Sequence, residues 1–264
     1  MWCAAAEPDT SGMPNRRMTL FAAALPAALL VACSTPPSPA APAAQAAPAA
    51  AKDTTAACTA EVALNATVPP GADPDSPAPS AAELQTWAAS VATPFATLRD
   101  NAPATLNGSV AVLGGVLDQA RQGQRIDVSD PKITTASNAV DAWVHDSCGF
   151  QTLELTSNGG KLGPAPAALK PGPVSIKFTG AGEPAAFVVL LARIKDGQKA
   201  TAADVDAGRA DFDKIAEVVG AAQPTGPGPA YATATVTAGR YLLTSPLGAP
   251  PNFAGTASLD LTVS

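Results

Sequence analysis

From Ser80 onward apolar residues recur at three- and four-residue steps, at Leu84, Trp87, Val91, Phe95 and Leu98, which places them on one helix face. Ser80 followed by Glu83 is a capping box that starts this helix. Pro94 inside it removes a backbone donor and predicts a kink. A second helix is predicted over residues 105 to 122, with Leu106, Val110, Leu113 and Leu117 inward and Gly123 as its stop. Its Gly114-Gly115 pair weakens it and permits a close helix crossing. The third helix opens with Asp130 as cap and Pro131 in first position, carries Ile133, Val140, Trp143 and Val144, and ends at Cys148-Gly149. Successive helices with short connections predict a small antiparallel bundle.

After Gly149 the period changes to alternation. Leu153 and Leu155 alternate before the Asn158-Gly159-Gly160 turn, Val174, Ile176 and Phe178 alternate after Pro171-Gly172, and residues 187 to 194 form a near-continuous apolar strand. One helix is expected over residues 202 to 219, with Val205, Phe212, Ile215 and Val219 as its buried stripe. Strands resume over residues 231 to 236, 240 to 244 and 258 to 263. The predicted fold class is therefore α+β: a helical domain over residues 58 to 148, then an antiparallel β-sandwich with one inserted helix over residues 149 to 264.

Upstream of the bundle neither period holds. Residues 34 to 57 are almost all Ala, Pro, Ser and Thr, with no apolar side chain larger than Ala, and such a segment cannot bury a core. It reads as a disordered stalk, able at about 3 Å per residue to hold the folded part several nanometres from its origin. A second loose stretch, residues 68 to 79, reads as a loop. Leu20 to Ala32 is an apolar run too short for a permanent membrane span, and Arg16 and Arg17 precede it, so residues 1 to 32 read as a signal peptide. Trp2, Cys3, Glu7 and Asp9 make a poor n-region, which places the expected start at Met13 or Met18. Export in the folded state through the twin arginines is a minor alternative, since Thr19 stands where an apolar residue is usual.

Leu30-Val31-Ala32-Cys33 resembles the bacterial lipobox. The resemblance implies acylation of the Cys33 thiol, cleavage before it, and a mature chain whose residues 33 to 57 are the lipidated cysteine and stalk. It also implies a lipoprotein held to the extracytoplasmic face of the cell membrane. Stable anchoring needs two or three acyl chains, because one binds a bilayer only marginally. The formal charge is −6, and it survives removal of the signal, which takes away two acids and two bases. A chain of that sign gains nothing from counterion release, so nucleic acid is excluded as a partner, and no electrostatic pull draws it to anionic lipid. Outside a reducing cytosol the remaining pair, Cys58 and Cys148, reads as one disulfide. Closing that loop contributes about 4 to 5 kcal/mol in the chain-entropy model. The rival reading as metal or redox thiols needs a CxxC spacing or a nearby His, and Cys58 has neither.

Two segments of the β region resemble the cupredoxin, or blue-copper, family. One is the strand Pro173-Val174-Ser175-Ile176-Lys177-Phe178 running through Gly180-Ala181-Gly182-Glu183-Pro184-Ala185-Ala186-Phe187. The other is Ala238-Gly239-Arg240-Tyr241-Leu242-Leu243-Thr244-Ser245, continuing through Asn252-Phe253-Ala254-Gly255-Thr256. The resemblance implies a cupredoxin-like sandwich in which Ala185 stands at the first ligand position, a His in the family. Ser245, Asn252 and Thr256 stand at the Cys, His and Met positions. A type 1 site needs two imidazoles and a thiolate, usually with an axial thioether. The only His is His145 in the helical region, and all three Met precede Cys33. No metal site and no cofactor are therefore expected, and fold is carried over without electron transfer. The helical region, from Ala56-Ala57-Cys58 to Trp143-Val144-His145-Asp146-Ser147-Cys148-Gly149, resembles helical regions of exported lipoproteins from high-GC actinobacteria, a pattern with no chemistry attached.

His145-Asp146-Ser147-Cys148 lists acid, base and nucleophile in a row, but adjacent helical residues point about 100° apart and cannot form a relay. Asp141 reaches His145 at the i, i+4 spacing. The bland reading is a solvated helix end beside the disulfide. Asp204, Asp206, Asp211, Asp213 and Glu217 are interleaved with Arg209 and Lys214 and read as a solvated helix face. Gly108 to Gly115 and Gly180 to Gly182 lack the Lys and Ser or Thr of a phosphate loop. Trp87 and Trp143 read as core. No catalytic residue is singled out, so the expected function is that of a non-enzymatic binding or scaffolding module of the envelope, with another envelope protein or a cell-wall component as partner. The alternative is a copper or redox accessory protein with a degenerate metal site. The variant Cys33→Ala is expected to lose labelling by a fatty-acid probe and accumulate as unprocessed precursor; unchanged labelling would refute acylation at Cys33.

Overall fold

Asp53 accepts a hydrogen bond from the backbone of Ala56 and thereby caps the first helix, α1 (Thr54–Asn65). In this computed structural model residues 52–71, 77–128, 130–164, 168–226, 228–249 and 252–264 are described. The signal run, Cys33 and residues 34–51 of the stalk lie outside them. Helix α1 corrects the expected stalk boundary at residue 57: Thr54 to Ala57 are helical, and Ala57 is fully buried. Alanine is the best helix former, and an Ala-rich run with a capping Asp folds once it has a surface to pack on.

The other long helices follow the apolar pattern closely. They are α2 (Ala81–Asn101), α3 (Asn107–Arg121), which a short 3-10 turn at Ala104–Leu106 precedes, and α4 (Pro131–Ser147). Both halves of the Ser80/Glu83 capping box form, and Asp130 caps α4 as expected. Pro94 sits inside α2 without ending it. The predicted close crossing is present, since a Cβ on Gly114 would lie 3.3 Å from the ring of Phe95. Leu84, Ala88, Val91, Leu98, Val110, Leu117 and Val140 form the bundle core, with Trp87 and Trp143 packed half-buried at its margin.

The strands are β1 (Gln151–Asn158), β2 (Lys161–Gly163), β3 (Gly172–Ala181), β4 (Val189–Ile194), β5 (Ala216–Ala222), β6 (Ala230–Val236), β7 (Gly239–Ala249) and β8 (Asn252–Val263). They form two four-stranded sheets, of order β2-β1-β3-β6 and β5-β4-β7-β8, so the expected α+β arrangement of bundle and sandwich is present. All pairings are antiparallel except β1 with β3, which run parallel; the chain between them serves as the crossover that parallel neighbours require. Leu153, Leu155, Val174, Ile176, Phe178, Leu191 and Leu243 fill the space between the sheets.

The inserted helical segment is split. It consists of two short helices, α5 (Ala202–Asp206) and α6 (Phe212–Ile215), and the residues from Ala216 onward are strand β5, paired with β4. Gly208, at positive φ, turns the chain between the helices, and the β-branched pair Val218-Val219 favours the extended form. Val205, Ile215, Ile194 and Leu242 make a third apolar cluster there, on the outer side of β4 and β7.

Cys58 and Cys148 are joined as a disulfide with their Cα atoms 5.7 Å apart, tying α1 to the end of α4. Among the described residues no helix is long and apolar enough to cross a membrane. Replacing both cysteines by serine is expected to lower stability by about 2 to 5 kcal/mol, read as a shift of the urea midpoint; an unshifted midpoint would refute a closed bridge.

Candidate functional site

Helix α4 lies across β6 and β3, and α1 meets both α4 and β6. Asn138, Asp141 and His145 fall on one side of α4, and each finds a partner in or along that sheet. Asn138 accepts from the backbone N–H of Tyr231 at 2.6 Å and donates to the carbonyl of Pro229 at 3.4 Å. His145 Nδ1 lies 3.0 Å from Ser175 Oγ, with the ring edge-on to Tyr231 at 5.3 Å between centroids. Asp141 Oδ1 accepts from Thr233 Oγ1 at 2.8 Å and from Asn65 Nδ2 at 3.3 Å. The same Asn65 amide donates to Glu61 Oε1 at 3.1 Å, while Glu61 Oε2 is buried without a hydrogen-bond partner.

Glu61 and Asp141 are 5% and 6% exposed, and neither forms an ion pair among the described residues. Burial pushes the Glu61 carboxyl up to about 8, with the neighbouring Asp141 charge adding to the rise and the Asn65 hydrogen bond opposing it. Burial likewise pushes Asp141 up to about 7 against hydrogen bonds from Thr233 and Asn65. The protons belong to the pair rather than to either residue.

His145 departs from the expected solvated helix end. Its side chain is 9% exposed, because the i, i+4 neighbour of Asp141 necessarily faces the same sheet; Asp146 and Ser147 are exposed as expected. Asp141 does not serve His145, since its accepting oxygen is taken up by Thr233 and Asn65. His145 Nε2 lies 3.8 Å from Glu154, which also reaches Lys177 at 3.8 Å. The Ser175–His145–Glu154 line has the composition of a nucleophilic relay, but Ser175 is fully buried inside β3, and no substrate carbonyl reaches its oxygen. The arrangement is a structural bridge.

The positions aligned with copper ligands do not converge. Ser245 is fully buried and donates to the carbonyl of Val188 at 2.6 Å. Thr256, one residue from the Ala257 that pairs with Ser245, turns to the opposite face and donates to Asp206 at 3.2 Å. Asn252 is exposed at the hairpin tip opposite Ala249. Ala185 offers only a methyl group, and its carbonyl accepts from Gly248 N–H at 2.6 Å. A β7–β8 ladder, bulged after Leu247, thus occupies the segment that holds these positions, and its hydroxyls and amide do not fit a copper ion. Among the described residues no group of three or more His, Cys, Asp or Glu side chains is placed to hold a metal.

At the same end of the sandwich Phe187 and Phe253 stack edge-to-face, 6.2 Å apart. Phe253 remains 50% exposed. A bulge after Leu247 shapes this tip, and Gly248 is required there: its φ is +94°, and a Cβ would meet the Asn252 carbonyl at 2.7 Å. The acidic residues of the inserted segment are mostly engaged locally. Hydrogen bonds from Thr201 and Arg209 hold Asp204 down at about 2, Lys214 lowers Asp211, and Asp206 accepts from Ser258 N–H and so ties α5 to β8. A groove of about 500 Å³ runs between α2 and α3, lined by Phe95, Val110 and Gly114, with Arg99 and Arg121 paired to Asp100 and Asp118.

No family model matches this sequence. No curated protein matches it either. Among the solved structures similar to it are two auracyanins and a natural killer cell receptor. Dithionite-reduced auracyanin from the photosynthetic bacterium Roseiflexus castenholzii is 18% identical over 43% of this chain and 97% of its own, with a TM-score of 0.29. Auracyanin B is 16% identical over 43% and 88%, also at 0.29. The natural killer cell receptor NKp44 is 9% identical over 44% and 98%, at 0.21. The auracyanins are cupredoxins and align with the C-terminal part; the two-sheet architecture described above stands on the strand order itself.

Equilibrium dialysis of the purified protein against Cu(I) and Cu(II) is expected to leave no bound metal above background. A stoichiometric blue chromophore would overturn the reading of the β7–β8 end.

Proposed function

We propose that this protein is a non-enzymatic binding module of the bacterial cell envelope, held by a lipid at Cys33 on the extracytoplasmic face, and that its sandwich docks another envelope component through the Phe187–Phe253 tip. One observation carries the docking reading: a half-exposed phenylalanine, braced by a second ring, crowns the end of the sandwich. Large exposed aromatics cost solvation and are the side chains that anchor protein interfaces. Pairing of β7 with β8 resumes beyond the bulge at Gly248 with Phe253 and Ala249 with Asn252, so Phe253 sits on a hydrogen-bonded strand and ordering it on binding costs little entropy. The membrane contact is supported by the lipobox-like residues and the stalk-like composition that follows them.

The copper or redox alternative is supported by the resemblance of the β region to cupredoxins. It finds no donor set at Ala185, Ser245, Asn252 and Thr256. The enzymatic alternative would need a reachable nucleophile, and Ser175 beside His145 is enclosed.

A photo-crosslinking side chain placed at Phe253 and activated on intact cells is expected to yield a discrete crosslinked species that the same group at exposed Thr235, on β6, does not. Phe253→Ser is expected to reduce capture from a neighbouring position while leaving the unfolding free energy within about 0.5 kcal/mol of the parent. Equal yields from both positions, or none from either, would refute docking through the tip.

A further inference from the structure

We propose that Glu61 and Asp141 form a proton-operated clasp that holds α1 and α4 on the outer face of the β2-β1-β3-β6 sheet in mild acid and slackens as pH rises toward neutrality. Three elements meet at the clasp: Glu61 and Asn65 come from α1, Asp141 from α4 and Thr233 from β6. One amide, that of Asn65, bridges both carboxyls, and a single hydroxyl completes the set. Two buried carboxylates sharing these donors cannot both ionise without like-charge repulsion and the loss of hydration.

Among the described residues, the groups around the pair do not supply a compensating cation. On α4, His145 faces Ser175 of β3 and Tyr231 of β6. Lys177 of β3 is turned to Glu154 of β1. From α2, packed against α1, Glu83 is engaged at its own cap and Arg99 pairs with Asp100. From α3, packed against α4, Arg121 pairs with Asp118. The orphaned Glu61 Oε2 is the natural seat of a proton, since a neutral carboxyl tolerates burial better than a carboxylate.

The sign follows from which form binds more protons. Both carboxyls titrate above their ordinary range when the junction is closed, and an open junction returns them to water and to ordinary acidity. The closed form therefore holds protons that the open form releases. Opening is suppressed in acid and grows by up to about tenfold per pH unit for each proton, from the ordinary carboxylate range until the closed pair itself ionises near neutrality, and then levels off. Cys58 lies one helical turn before Glu61, so the disulfide keeps α1 attached while the rest of the helix is released.

Hydrogen exchange on the full chain between pH 5 and 9, expressed as protection factors to remove intrinsic pH dependence, tests the clasp. Amides of α1 are expected to lose about 100-fold protection from pH 5 to 7 for one proton, with a plateau above about pH 8, while β7 and β8 hold theirs. Glu61→Gln is expected to flatten the dependence by about tenfold per unit. Protection of α1 that does not change with pH, or a Gln variant with the parent's slope, overturns the proposal. Where that variant does not fold, the infrared band of protonated carboxyl in the parent reads the same proton: its persistence at pH 6 supports the clasp, and its complete loss by pH 5 overturns it.

Discussion

Between the bundle and the sandwich lies a layer of polar side chains, and the way its hydrogen bonds close governs how the two halves of the fold meet. A face of α4 carrying Asn138, Asp141 and His145 would ordinarily look outward to water. Here it rests on a sheet whose outer side offers Thr233, Ser175 and the backbone of Tyr231. Each group exchanges water for a specific partner, so the contact gains little from area and much from register. A slip of one residue in β6 would put alanines against α4 and turn its threonines into the core. The apolar clusters on either side are separate, and the polar layer is where they are indexed to one another.

The opposite end of the sandwich follows a different logic. A type 1 copper centre needs several donors converged on one point. Here the ladder between β7 and β8 runs to its tip, and strand alternation sends Ser245 inward and Thr256 outward. Ser245 and Thr256 thus lie on opposite faces of the sheet and do not meet. What remains at that end is shape: a bulged hairpin whose Phe253 stacks on Phe187 from the segment leading into β4.

Much of the architecture was legible because its periods were strong. Ser80 with Glu83, Asp130 with Pro131, and the stripe from Leu84 to Leu98 located α2 and α4, and the alternation of Val174, Ile176 and Phe178 located β3. Residues 216 to 219 read as helix because Val219 falls at helical spacing from Ile215 and Phe212, a coincidence that one β-branched pair can produce; pairing of β5 with β4 decides for strand. Helix α1 leaves little trace in the sequence because alanines carry almost no amphipathic signal. The buried carboxyls were hidden for a related reason. Asp141 lies beside Val140 and Glu61 lies between Ala60 and Val62, and a charged residue on a helix reads as solvent-facing until something covers it. His145, in the last turn of α4, reads as solvated for the same reason. Only the sheet, distant in sequence, changes the reading.

The bridge between Cys58 and Cys148 joins positions 90 residues apart in sequence at the two ends of the bundle. It makes the intervening chain a covalent ring whose entrance and exit are side by side. A tensile load applied between the N-terminal chain and the sandwich would pass through the sulfurs and bypass that ring. The helices would then sit outside the line of force, sheltered from a pull that every residue of the sandwich's own connection must bear.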